Sequence, residues 1–296
     1  MSRSIRISRR CFLQAMTVAT LIPTVQAAAK PLIGSQLYGW GQYYSREGKD
    51  LWKHMDEVLS ALRDSGYDYA EGSLDWGSPE NNFKFAEQLK GKGMQPVALY
   101  SGGRLHEKAT AEKTVDQFVK AAVEAKKAGF SVINCNPDPI GREKSDQELA
   151  TQAEALKRLG KELSAAGMKF GIHNHTPEMV NHAREFHFNF QKTEPQTVGF
   201  CFDVDWVNRG GVKPEQALKD YGKRIVSWHL RQSRDGVWWE DLDEGEINYP
   251  GLLKAAMEKG AAPVYTVELA LEEKTRITRS VVENHRRSIK YLKSIL

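Results

Sequence analysis

Cysteine is scarce in this chain: three in 296 residues, at Cys11, Cys135 and Cys201. So few thiols exclude a disulfide-built scaffold, and their spacing excludes a zinc-finger pattern. Cys135 and Cys201 lie in apolar runs and read as free buried thiols rather than a bridge. There is no Walker loop, no dinucleotide-binding turn and no Ser-His-Asp order. No Pro- or Ser-rich linker or low-complexity tract divides the chain. No apolar run is long enough to anchor stably across a bilayer. Acidic residues are missing from the first 28 positions, which hold Arg3, Arg6, Arg9 and Arg10. The whole chain is formally +4, so those arginines account for its entire excess. The remainder is close to neutral and has no global field to attract nucleic acid or anionic lipid.

The amino terminus reads as a targeting segment. Ser8-Arg9-Arg10-Cys11-Phe12-Leu13-Gln14 precedes a short apolar stretch, Ala15 to Ile22, and then the small residues of Val25-Gln26-Ala27-Ala28. A charged start, an apolar middle and an A-x-A-like end describe a cleaved signal peptide. The twin arginine followed by Phe-Leu resembles the twin-arginine export signal. The expected domains are therefore a signal peptide over 1–28 and one domain over 29–296. The expected location is the periplasm, free of the membrane once the leader is cut.

The rest of the chain alternates short apolar runs with helical patterns. Strands are predicted at Leu32–Leu37, Tyr67–Glu71, Gln95–Leu99, Val132–Asn134, Lys169–His173, Val198–Asp203, Ile225–Leu230 and Val264–Glu268. Helices are predicted at about 50–64, 80–92, 108–128, 145–166, 180–192, 213–221, 249–259 and 275–295. Gly66, Gly129, Gly167 and Gly260 follow predicted helices where a left-handed cap belongs. Eight strands alternating with eight helices predict an α/β protein with a single-domain (β/α)₈ barrel, a TIM barrel. A doubly wound open sheet is the alternative. It calls for a Gly-rich phosphate turn after the first strand, and Gly34-Ser35-Gln36-Leu37-Tyr38-Gly39 is not one.

Four of these strands end in a metal-ligating residue type: His173, Asp203, His229 and Glu268. They stand roughly 25 to 40 residues apart, the length of one strand–helix unit. In a (β/α)₈ barrel such residues converge at the carboxyl ends of adjacent strands, where the chemistry sits. Two His, one Asp and one Glu make a mixed nitrogen and oxygen site for a divalent metal. Taken alone, each has a simpler reading: a hydrogen-bonded core His, or an Asp that caps the turn before Trp206.

These segments resemble the sugar phosphate isomerase/epimerase superfamily, the xylose isomerase-like TIM barrels, which include endonuclease IV as a relative. The resemblance is strongest from about Lys169 to Leu269. It rests on His173-Asn174-His175 where that family reads Glu-Asn-His, and on Phe202-Asp203-Val204-Asp205-Trp206 with Gly210-Gly211. It also rests on His229-Leu230-Arg231-Gln232, Asp243 to Pro250, and Val267-Glu268.

The resemblance implies one divalent ion (Mn, Mg, Co or Zn) held by His173, Asp203, His229 and Glu268. It implies an enzyme of carbohydrate metabolism: a metal-dependent isomerase that removes a proton next to a metal-polarised carbonyl of a sugar or keto-sugar. Glu268 is the expected base, with Glu71 and Glu178 as further candidate carboxylates. Arg231 or Arg234 is expected to steady substrate oxygens. His175 is a second ligand, an orienting group or a substrate contact. Trp76 and Trp206, with Trp40, Trp238 and Trp239, are placed at the mouth, where flat faces stack on sugar C–H surfaces. His173 departs from the family at strand five. A ligating imidazole has no free lone pair for a second base, which argues against symmetric two-carboxylate epimerisation. A keto-glycoside lyase or hydratase, or a non-catalytic exported sugar-binding barrel, is the alternative. The neutral mature charge and His173 argue against an abasic-site endonuclease. An oligomer remains open.

Overall fold

The computed structural model describes residues 30–296; the expected signal peptide lies outside the described residues. Eight parallel strands close into a barrel. They are β1 (Leu32–Gln36), β2 (Tyr69–Ser73), β3 (Ala98–Gly103), β4 (Val132–Pro137), β5 (Lys169–Ile172), β6 (Gly199–Asp203), β7 (Ile225–Leu230) and, after a small hairpin, β10 (Val264–Val267). The hairpin is β8 (Ser233–Arg234) paired antiparallel with β9 (Val237–Trp238). The single-domain (β/α)₈ barrel is the observed fold. Its strand order is β1-β10-β7-β6-β5-β4-β3-β2.

The strands form where apolar residues run without alternation, because a barrel strand is covered by side chains inside and by helices outside. Every residue of β4 is buried. The helices are amphipathic, and their starts are written in polar residues. The Ser145 side chain accepts from the Glu148 amide at 3.3 Å, and Glu148 returns the bond by accepting from the Ser145 amide at 2.7 Å. This reciprocal cap fixes where the helix Asp146–Ala165 begins. Gly66, Gly129, Gly167 and Gly260 all have positive φ, at 96°, 115°, 72° and 72°. Inside the barrel, Tyr69 reaches past β1 and its hydroxyl pairs with Thr266 Oγ1 at 2.7 Å. Its ring occupies the space beside Gly34, where a Cβ would lie 2.2 Å from a ring carbon. None of the described helices is long and apolar enough to cross a membrane.

The departures from the predicted elements are local. A helix at Leu37–Arg46 follows β1 directly, where the sequence predicts no element between Leu37 and the helix at about 50–64. Gly39 and Gly41 mask its periodicity, while the Gln36 side chain caps it by accepting from the Tyr38 amide at 2.5 Å. A six-residue helix, Val204–Arg209, follows β6 directly. β3 starts at Ala98 rather than Gln95, because Pro96 brings no amide hydrogen to a ladder. The helix after β5 begins at Thr176 and is broken at Asn181, His182 and Ala183, all with positive φ. The last helix begins at Val281, where Ser280 caps it, so the stretch before it is loop.

Candidate metal centre

The barrel register brings the four ligand types to one level. Asp203 pairs with His229 across β6 and β7, and Thr266 pairs with His229 from β10. His173 and Glu268 lie one residue past β5 and β10 but continue the ladder. The His173 amide donates to the Cys135 carbonyl at 2.8 Å, and the Glu268 amide donates to the Leu230 carbonyl at 2.9 Å. One donor atom from each of His173, Asp203, His229 and Glu268 lies within 4.8 Å of all the others. All four residues are buried.

The charges around them are tightly paired. The Arg231 guanidinium, itself buried, lies 2.5 Å from Asp203 Oδ2 and 3.0 Å from Glu268 Oε2. Burial disfavours both carboxylates, but Arg231 overcomes it and holds each well below the usual carboxylate range. His229 touches a carboxylate on each ring nitrogen. Nδ1 lies 2.7 Å from Glu268 Oε2, and Nε2 lies 2.8 Å from Glu71 Oε2. Burial works against its charged form, but the carboxylates on either side raise its pKa well above that of a free imidazole. Burial lowers the pKa of His173, whose Nε2 sits 3.3 Å from Asp203 Oδ2.

This donor set suits a divalent cation. Two imidazoles and two carboxylates at this spacing are ordinary ligands for zinc, manganese or a similar ion. Glu71 accepts from His229 Nε2, so Nδ1 is the nitrogen that would ligate once an ion takes the place of its proton, the usual arrangement behind a ligating histidine. Glu71 is itself held: Asn134 Nδ2 donates to its other oxygen at 2.9 Å, and Ser227 Oγ donates to Asn134 Oδ1 at 2.7 Å. Charge points the same way. Three acidic side chains (Glu71, Asp203 and Glu268) surround His229 and the one permanent cation, Arg231, in a buried site, and a divalent ion held there would offset their excess. His173 Nδ1 is buried with no hydrogen-bond partner, which leaves Nε2, on the Asp203 side, as its donor atom.

A cavity of about 800 Å³ opens above the cluster. His173, His175, Trp206, His229, Arg231 and Glu268 all line it, as do Tyr100 and Trp238. His175 stands beside the ligand set without joining it, its ring centre 4.7 Å from that of His173. Burial and the neighbouring His173 push its pKa down to about 3, so it is a neutral imidazole facing the cavity.

Other expected site residues are placed elsewhere. Glu178 is buried at the start of the helix after β5, and its Oε2 accepts from the His175 amide at 2.6 Å. Burial raises its pKa to about 7. Its carboxyl faces backbone and does not line the cavity. Arg234 donates to the Glu244 carbonyl and lies over the Trp239 ring at 4.2 Å. Trp76 packs on Phe118 at 5.5 Å and lines adjoining clefts. Trp40 is wholly buried; its indole donates to Ser35 Oγ at 3.1 Å and packs on His285.

Asp205 was not among the expected site residues. It accepts from Trp238 Nε1 at 2.9 Å, from Ser233 Oγ at 2.5 Å and from Arg209 Nε at 2.8 Å. The Trp238 ring has Arg231 over it at 4.6 Å and Arg209 at 5.0 Å. Asp205 thus positions the hairpin wall against Arg231. Its parity with Asp203 in Phe202-Asp203-Val204-Asp205-Trp206 is the signal that could have marked it. Cys135 and Cys201 are both free and buried, as expected.

The model of the xylose isomerase-like TIM barrel family matches residues 59–295, and the chain belongs to that family. Among individual proteins, it is 23% identical to an inosose dehydratase of Bacillus cereus (strain AH820), over 66% of this chain and 68% of that one. A sugar phosphate isomerase/epimerase from Parabacteroides distasonis ATCC 8503 superposes with a TM-score of 0.72 at 23% identity, covering 90% of this chain and 95% of its own. The IolI protein with a bound zinc atom superposes with a TM-score of 0.68 at 19% identity, covering 89% and 97%. At these identities the two structures share the fold.

Proposed function

We propose that this protein is a divalent-metal-dependent enzyme acting on a sugar or keto-sugar by removing the proton next to a carbonyl, as an isomerase. The observation that carries this reading is the buried set His173, Asp203, His229 and Glu268 at the floor of an open cavity. An ion held there supplies Lewis-acid polarisation of the carbonyl and positive charge beside the anion formed when the proton leaves. The protein's own groups do the rest. Glu268 takes the proton from the substrate carbon. Arg231, already on the Glu268 carboxylate, balances charge as it shifts toward substrate oxygen. Glu71 keeps the His229 ring from turning. Trp206 and Trp238 give one cavity wall an apolar face and keep water from that side.

A lyase reading has specific support. Strand five ends in His173 where a second carboxylate base would stand, and the curated relative in Bacillus cereus is an inosose dehydratase. With one base, the proton taken by Glu268 can pass to the neighbouring hydroxyl, which leaves as water as the carbon–carbon double bond forms, or it can return to a neighbouring carbon.

Solvent deuterium exchange into aldoses, ketoses, inososes and 3-keto-glycosides tests both readings, with product analysis separating isomer from dehydrated product. Exchange that needs added divalent metal is the expected result. It should be lost in Glu268→Gln and kept in His175→Ala. The reverse pattern moves the base to His175, and exchange indifferent to metal and to both substitutions sinks the reading. The leader read in residues 1–28 supports a periplasmic location for the working enzyme. Cell fractionation of wild type against a variant with Arg9 and Arg10 both replaced by Lys checks this, export surviving the replacement being the adverse result.

A further inference from the structure

The cavity above the metal centre extends well past it. The helix Leu37–Arg46 lays one face along it: Tyr38, Gly41, Gln42, Ser45 and Arg46, which are spaced i, i+3, i+4, i+7 and i+8. From Tyr38 to Arg46 that face is about 12 Å long at the ordinary helical rise. The opposite face buries Trp40 and Tyr43, so the helix is anchored and its cavity side is fixed. Gln42 strengthens this by exchanging two bonds with the Leu271 backbone, at 2.7 and 2.8 Å.

Two aromatic rings stand open on this extension. Tyr38 is 58% exposed and Trp52 is 67% exposed. They are the two most exposed large hydrophobic side chains among the described residues, and both line the cavity that holds the metal centre. Exposed aromatic surface inside a cleft marks a binding face. Ser45 and Arg46 add hydrogen-bonding groups beside it, with no cluster of cations that would select a phosphate. Aromatic faces bordered by hydroxyl and guanidinium groups suit a neutral, polyhydroxylated ring.

We infer that Tyr38 and Trp52 form an outer subsite for a second sugar ring, so that the substrate is a glycoside or oligosaccharide whose reacting ring lies on the metal centre. This rests on the sugar-handling reading of that centre. The cavity's volume, about 800 Å³, lies toward the upper end for ligand pockets and leaves room beyond one ring. Both aromatic side chains are exposed, so their replacement leaves the core untouched.

Saturation-transfer NMR and calorimetric titration of the metal-loaded protein test it, with cellobiose, trehalose and maltose as two-ring probes and glucose as the one-ring control. Saturation should reach protons of both rings of at least one disaccharide. Trp52→Ala should weaken that disaccharide about tenfold and leave glucose unchanged. Trp52→Phe should restore most of the loss. Saturation confined to one ring, a disaccharide bound no tighter than glucose, no binding by any two-ring probe, or unaltered affinity in Trp52→Ala would each overturn the subsite. The metal centre is tested separately. If Asp203→Ala leaves metal content unchanged while second-ring saturation persists, the metal-centre reading fails and the outer subsite stands.

Discussion

The two halves of the barrel mouth do different work. From β5 round to β10 the strand ends carry ionisable groups at close quarters: His173, Asp203, His229, Arg231 and Glu268, all buried. From β1 to β4, Glu71 stands behind His229, and Ser73, Tyr100 and the face of the helix Leu37–Arg46 line the cavity. The first half is built to hold charge in place and the second to receive a neutral shape. Buried charge must be paired, so the first half is tightly interlocked. The second has no such constraint and leaves its aromatic rings open to solvent.

The largest effect is expected where the interlock is broken. Asp203→Ala removes a proposed metal ligand, a partner of Arg231 and a helix cap together, since Asp203 Oδ1 also accepts from the Trp206 amide at 3.0 Å. Leaving Arg231 without one of its buried partners costs about 3–5 kcal/mol. Denaturant unfolding with parallel metal analysis should show a lowered midpoint and no stoichiometric metal. A variant as stable and as metal-rich as wild type would dissolve the distinction between the halves.

Glu178→Gln should have the next largest effect, and it depends on pH. Folding raises the Glu178 pKa to about 7. The folded state therefore holds the proton more tightly than the unfolded chain, and stability falls as pH rises from about 4.5 toward 7. Glutamine removes that loss, so the variant should gain about 3 kcal/mol relative to wild type at pH 8 and little at pH 4. His175 and His285 change stability in the opposite direction, because burial lowers their pKa values to about 3 and about 4. The difference between variant and wild type isolates Glu178. A difference that does not vary with pH removes the assignment.

Glu71→Gln tests whether the quieter half serves the charged one. It leaves all four proposed ligands in place and should weaken metal affinity about 10- to 100-fold while keeping the metal at saturating concentration. Competition with a chelator measures this, and unchanged affinity would show that His229 needs no support from β2. The smallest expected effect is Trp40→Phe, which removes the indole bond to Ser35 Oγ. It should cost about 1 kcal/mol of unfolding stability with no change in metal content or turnover.

Sequence patterns made the charged half readable and left much of the other half hidden. His173, Asp203, His229 and Glu268 each end an apolar run, and the (β/α)₈ order turns sequence spacing into spatial proximity. Which nitrogen faces which carboxylate depends on ring orientation, and no spacing encodes that. Glu178 looked free to reach the cavity, but the cap on the His175 amide turns its carboxyl inward. Arg231 and Arg234 are three residues apart and equally plausible as sequence. The β8–β9 turn carries Arg234 out onto Trp239 and leaves Arg231 inside. The helix Leu37–Arg46 went unread because two glycines and a polar cap hide a face that only the cavity defines.

The chain of side chains behind His229 has a mechanical consequence. Ser227, Asn134 and Glu71 come from β7, β4 and β2, so the bond to Nε2 is anchored through strands well apart around the barrel. The ring is therefore fastened to the frame rather than to the door. The imidazole is aimed by the barrel strands, independently of the helix and hairpin that shape the mouth.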